Sequence, residues 1–442
     1  MIDLAETCPD RIEARIRLLQ DRAEIFQLMA AYGPSDAMDA ETLGALWTDD
    51  ANYESNGHVL AAREGIVGLL ESPAHRGHAR EMTGRASTEP PHNGRGCATR
   101  CAGAEINGSE REDQMRIDRR IDVTEAAALG EPIEIATSVF LPDPADLPAR
   151  PVVIFAVPGG GYSRHYFFMS PAGRDGYDES RYHIARGTIY VAIDHIGVGE
   201  STIPDLSRIT FQTFAATYDA AVRGICAELA AGTLADGFPK IADPFKVGMG
   251  QSMGGGVSIL AQGRFATFDA IAPCGVSAIQ TALPQRSQEE FDLGKQRFTG
   301  VTTGTGHSHE TVSHEGVDYV YPFHWEDVPR DILDEDMSGG YPIRRTTPIY
   351  GSLTIPHCAV QMMTPGCFTA DADRITVPVL IGVGERDTCP DPHAEPSGYP
   401  SSPDVSVYIV PTMAHMHNFA STREQLWARL HGWSRLISQP VA

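Results

Sequence analysis

Ser252 stands in Gly250-Gln251-Ser252-Met253-Gly254, a G-x-S-x-G pattern joining a strand-like FKVGMG to a small-residue helix that begins at Met253. A corner that tight excludes bulk two residues away on either side, and glycine occupies both places. The hydroxyl is then presented at the C-terminal edge of a sheet. It also lies at a helix N-terminus, where N–H groups such as that of Met253 and the helix dipole favour a developing oxyanion. A serine hydroxyl is too weak an acid to attack a carbonyl unaided, so it needs a base, and the base needs an orienting acid. Taken alone, a pattern with three fixed positions arises often by chance, and the five residues also fit a glycine-rich turn with an ordinary serine. What surrounds them decides.

The totals bound the alternatives. A chain of 442 residues suggests two or three domains with ample core. Hydrophobic content of 42% and charged content of 21% are those of a globular protein. A formal charge of −23 argues against nucleic acid or an anionic membrane surface as partner, since both need a basic footprint. No apolar run is long enough to span a bilayer, and the polar, acidic start MIDLAETCPDRIEAR does not read as a secretory signal. Eight scattered cysteines suit reduced thiols, so a cytoplasmic location is expected.

Residues 11–32 carry Ile12, Ile16, Leu19, Ile25, Leu28 and Met29 at helical spacing. A short helix from Ala40 to Trp47, a strand-like ANYES, a turn at Asn56-Gly57 and a helix from about Ala62 to Leu70 follow. This helix ending in Tyr32, followed by Asp36, Asp39, LWTDDANYE and the AREGI helix, resembles the opening of the NTF2-like, or SnoaL-like, cone fold over about residues 15–75. The remainder of that cone does not follow. Residues 1–75 are therefore expected to be a partial domain kept for packing or homo-oligomer formation, without the isomerase or cyclase chemistry of the family. Residues 76–112 are rich in Arg, Gly, Pro and His and read as a poorly ordered linker. His78, His92, Cys97 and Cys101 within it are too loosely spaced to argue for zinc.

From Met115 the texture changes. RIDRRIDVTEA and IEIATSVFLP alternate like neighbouring strands, and PVVIFAV is a continuous apolar run that ends in Pro158-Gly159-Gly160-Gly161-Tyr162. GTIYVAID closes on Asp194-His195-Ile196-Gly197-Val198-Gly199-Glu200-Ser201, and a long helix over about 211–231 leads to the Ser252 strand. FDAIAPCG, VPVLIGVGE and VSVYIV supply the remaining core strands. Strands alternating with helices give an α/β class, with a doubly wound, mostly parallel sheet. Residues 276–372 break that rhythm and read as a lid insertion between core parts 113–275 and 373–442.

With the elbow after the fifth core strand and D-x-x-G-x-G-x-S after the fourth, residues 113–442 resemble the α/β-hydrolase superfamily. The resemblance implies a catalytic acid in Gly384-Glu385-Arg386-Asp387, where Asp387 is preferred over Glu385 and Asp391. It implies a histidine in Pro411-Thr412-Met413-Ala414-His415-Met416-His417. His415 is preferred over His417, although Met413 and Ala414 stand where glycines are usual in the family. Backbone N–H groups of Met253 and of Gly160, with Gly159 as the alternative to Gly160, would form the oxyanion hole. Pro158 replaces the histidine that often opens the family's glycine turn. Asp194 and His195 would hold the turn beneath the site. Tyr162, Tyr321, Phe323, Trp325, Met362 and Met363 are candidate pocket residues, and His307, His309 and His314 belong to a polar lid loop rather than a metal site.

The expected function is a serine hydrolase cleaving an ester, lactone or thioester of a small acyl substrate through an acyl-enzyme on Ser252, without metal or cofactor. Acyl transfer or C–C hydrolysis on the same three residues, and a non-catalytic binding or assembly module, are the alternatives.

Overall fold

The computed structural model describes residues 52–55, 58–61, 116–298, 317–341 and 344–439, of which 52–55, 58–61 and 295–298 are described as backbone alone. The helices expected over 11–32, 40–47 and 62–70, the linker 76–112, and the histidines at 307, 309 and 314 lie outside the described residues. The chain divides into two compact units, Met1–Gly103 and Ala104–Ala442. In the first, Asn52–Ser55 pairs antiparallel with His58–Ala61, Ser55 opposite His58. The second of these strands was not expected from the sequence.

The second unit is built on eight strands: β1 (Arg116–Asp122), β2 (Glu134–Phe140), β3 (Val152–Val157), β4 (Ile189–Ile193), β5 (Phe245–Gln251), β6 (Ala270–Cys274), β7 (Val379–Arg386) and β8 (Val405–Ala414). They form one sheet in the order β8-β7-β6-β5-β3-β4-β2-β1. β2 is antiparallel to both β1 and β4, and every other pair is parallel. The apolar run of β3 is buried along its whole length, and its residues alternate between two cores. Val153, Phe155 and Val157 pack on one face, and Val152, Ile154 and Ala156 on the other. Covering both faces in this way is what a parallel sheet requires.

Four helices matter for the site: α1 (Glu179–Ile184), α2 (Phe211–Ala231), α3 (Met253–Phe265) and α4 (Arg423–Ile437). α2 begins where Thr210 and Thr213 cap each other reciprocally and stops at Gly232, whose φ of 70° is cheap only for glycine. The insertion between β6 and β7 contains short helical segments, Gln288–Phe298, Val320–Phe323, Arg330–Asp336, His357–Met363 and Thr369–Ala372, and no strand among the described residues.

β8 runs four residues beyond the VSVYIV expected from the sequence. Its register with β7 shifts between Val410 and Ala414, with Thr412 at φ 51°. Glu385, the neighbour passed over for Asp387, is tied to this bulge. Its Oε2 accepts the Thr412 N–H at 2.9 Å and so braces that bulge.

Candidate active site

Ser252 holds φ 54° and ψ −118°, outside the regions an L-residue prefers, at the corner between β5 and α3. Neighbouring strands impose this geometry. The Ser252 N–H donates to the Cys274 carbonyl at the end of β6, 2.7 Å away. A Cβ on Gly250 would fall 2.1 Å from the Gly254 backbone, and one on Gly254 would fall 2.1 Å from the Val157 carbonyl at the end of β3. The glycines of the motif are therefore required by backbone approach rather than by turn preference alone. Gly254→Ala is expected to cost about 3 kcal/mol through overpacking, read as a lowered urea midpoint at unchanged m-value. A midpoint equal to wild type would contradict the close approach.

His415 follows the β8 bulge and Asp387 follows β7. His415 Nε2 lies 2.9 Å from Ser252 Oγ, and His415 Nδ1 lies 2.6 Å from Asp387 Oδ1. All of Asp387 is used. Oδ1 also accepts the Thr388 N–H at 2.7 Å, while Oδ2 accepts the Gly384 N–H at 2.8 Å and faces His417 Nε2 at 2.6 Å. Burial opposes the charge on this carboxyl, but His417, His415 and the hydrogen bonds from both outweigh it and hold the pKa far below the ordinary range. An ionised carboxylate only accepts, so the proton on His415 sits at Nδ1 and leaves Nε2 free to receive one from Ser252. Gln251 adds a brace, donating from Nε2 to the His415 carbonyl at 2.8 Å.

On the opposite side, Gly160 and Met253 line the same cavity as Ser252, and neither amide is used in the backbone bonds of the surrounding turns. The Gly160 carbonyl accepts the Tyr341 hydroxyl at 2.8 Å, which fixes the plane of the following peptide. Pro158 contributes its carbonyl, 2.7 Å from His195 Nε2. Burial lowers the His195 pKa to about 4, so the ring is neutral and donates from Nε2. Asp194 receives the Arg164 and Glu200 N–H groups at 2.6 and 2.9 Å and the Arg164 guanidinium at 2.6 Å, tying the turns after β3 and β4 together.

The cavity above Ser252 has a volume of about 80 Å³ and is lined mainly by Val276, Leu283, Phe323, Tyr319, Tyr341, Ile355, Ala359, Met362 and Met363, with Thr281 and Thr388 as polar points. Three of the candidate pocket residues do not line it. Tyr162 is fully buried and donates to Asp336 Oδ2 at 2.8 Å, because the chain turns inward after Gly161. Tyr321 and Trp325 instead stack on the Arg386 guanidinium, 4.0 and 4.5 Å from the ring centroids. Tyr319, Tyr341 and Ile355 were not singled out, since an aromatic-rich insertion offers no period to rank its members by. Among the described residues no cluster of His, Cys, Asp or Glu is placed to hold a metal, and no helix is long and apolar enough to cross a membrane.

This strand order, with a strained serine corner after β5, an acid loop after β7 and a histidine loop after β8, defines the α/β-hydrolase fold. Residues 17–90 match the sequence profile of the SnoaL-like domain, so that resemblance runs into the stretch read above as linker. No curated protein sequence matches the chain. Among solved structures, an esterase from Thermogutta terrifontis is 17% identical, with a TM-score of 0.47 over 73% of this chain and 100% of its own. A proline iminopeptidase from Mycobacterium smegmatis is 17% identical, with a TM-score of 0.45 over 72% and 98%. A haloalkane dehalogenase loop variant from Bradyrhizobium elkanii is 15% identical, with a TM-score of 0.46 over 73% and 98%. Likeness at this level adds nothing on substrate, and the fold assignment stands on the strand order itself.

Proposed function

We propose that this protein is a serine hydrolase that cleaves a carboxylic ester, lactone or thioester through an acyl-enzyme on Ser252. The observation that carries the reading is the relay from Asp387 through His415 to Ser252, at 2.6 and 2.9 Å, at the floor of an apolar cavity. His415 Nε2 takes the Ser252 proton as Oγ attacks the substrate carbonyl, and Asp387 stabilises the imidazolium that results. The Gly160 and Met253 N–H groups receive the oxyanion, each worth on the order of 3 kcal/mol in the transition state. The imidazolium passes its proton to the leaving group. Water, deprotonated by the same nitrogen, then releases the acid and restores the serine.

A fluorophosphonate probe is expected to label the wild type, with the adduct mapped by mass spectrometry to the peptide carrying Ser252. Failure of the folded protein to label would sink the reading. The small apolar cavity further favours short acyl chains. In a p-nitrophenyl series from acetate to decanoate, kcat/KM is expected to peak by butyrate and to fall by about tenfold or more at decanoate, since even one methylene without room is worth about that order. A profile still rising at decanoate would mean that the cavity does not hold the acyl group.

A further inference from the structure

We infer that His417 is a positioning residue for this site, acting on His415 through their shared carboxylate. For its kinetic consequence the inference rests on the reading of Ser252, His415 and Asp387 given above, but its geometry does not. His417 opens the short turn His417–Phe419 after β8, and its ring is buried. Asp387 receives two donors on each oxygen, a backbone N–H and an imidazole: Thr388 and His415 on Oδ1, Gly384 and His417 on Oδ2. The two imidazoles pack against Gly275, where a Cβ would come within 3.1 Å of His415 Nδ1 and 3.2 Å of His417 Cε1. Their centroids are 6.3 Å apart, with the rings at 77°. The carboxylate is thus held in one plane, with Oδ1 facing His415 and Oδ2 facing His417.

A histidine packed merely for shape needs any acceptor, whereas this one takes a lone pair of the charge that stabilises the His415 imidazolium. An N–H donor on Oδ2 withdraws charge from the carboxylate and lowers the proton affinity of His415. Removing the donor raises that affinity, so the acid limb of the kinetics moves to higher pH. The other titratable groups on the elements packed here include Cys274 at the end of β6, Cys389 and Glu395 beyond Asp387, Glu179 of α1, Tyr166, whose hydroxyl accepts the Asn418 N–H at 2.9 Å, and His324, whose ring centroid lies 5.3 Å from that of Phe419. Glu395 is engaged by Ser277 and Ala278, and Glu179 by Asn418. Burial keeps both thiols above their ordinary pKa, so they stay uncharged.

Wild type, His417→Gln and His417→Leu would be compared by imidazole 1H–15N NMR titration and by kcat/KM against pH with p-nitrophenyl butyrate. Gln keeps a neutral donor and Leu has none. The His415 midpoint and the acid limb are expected to rise together by about one unit in the Leu variant and much less in the Gln variant. Plateau kcat/KM is expected to fall about tenfold in Leu and to be largely restored in Gln. A midpoint unchanged in both variants, or equal shifts in both, overturns the inference. If the Leu variant does not fold, the wild type still decides: its spectrum must place a downfield proton on Nε2 of His417, and an Nδ1–H tautomer overturns the inference without any substitution. A shifted His415 midpoint in a protein without Ser252-dependent turnover would refute the proposed hydrolase and leave the pairing of His417 with His415 standing.

Discussion

Ser252→Ala is expected to lower kcat for p-nitrophenyl acetate by about four to six orders of magnitude, while Tm stays within about 2 °C of wild type. The asymmetry follows from what the side chain does. Among the described residues Ser252 Oγ pairs with His415 Nε2 at 2.9 Å and lines the cavity, so its loss removes little packed volume. The backbone that holds the corner, including the Ser252 N–H to the Cys274 carbonyl, is untouched by the change. The proposed oxyanion donors also remain, so a small residual rate over water is expected to persist. Activity that survives within tenfold would remove Ser252 from the nucleophile's role, whatever the geometry around it.

Asp336→Ala is expected to be the most destabilising single change in the insertion, at about 3–5 kcal/mol, or a fall in Tm of about 10 °C. Asp336 is fully buried and accepts from Tyr162 at 2.8 Å, from His324 Nε2 at 2.9 Å and from Arg344 Nη2 at 3.0 Å. Its removal leaves the Arg344 guanidinium buried without a counter-charge, and that uncompensated charge dominates the cost. Replacing the whole cluster by apolar residues would cost much less, because the pair itself is worth little. Function should suffer as well. Tyr162 directly follows the glycine turn, and the insertion is bonded to that turn through Tyr341 to the Gly160 carbonyl and Ser352 N–H to the Gly161 carbonyl.

The effect carries a pH signature. Burial raises the Asp336 pKa, but His324, Arg344 and Tyr162 together bring it below the ordinary value. A depressed carboxyl contributes fully above its unfolded pKa of about 3.9 and loses that contribution as pH falls through the folded value. The stability gap between wild type and Asp336→Ala is therefore expected to be constant near neutrality and to narrow below about pH 4. A gap that widens in acid would mean that Asp336 is protonated in the native state. Equal thermal stability at pH 7 would mean that Arg344 escapes to solvent.

How much was legible in advance depended on how local the cause was. The sheet could be read because burial on both faces writes itself into single segments: PVVIFAV, IYVAI and AIAPC are apolar without interruption, and each became a strand of the expected class. The corner at Ser252 could be read because backbone approach demands glycine at fixed offsets, a steric rule with a sequence signature. Three things were decided only by tertiary structure. The choice between His415 and His417, for which the sequence offered only a preference for His415, is made by the path of the chain after β8, which includes the register shift between Val410 and Ala414. Tyr162 follows the glycine turn in sequence but points away from the cavity, drawn inward by a carboxylate 174 residues away. The cavity wall and the Asp336 cluster come from an insertion with no repeating period, in which each side chain's surroundings are set by distant segments. Short-range sterics and periodicity are properties of the chain alone, whereas partners brought together across hundreds of residues exist only once it has folded.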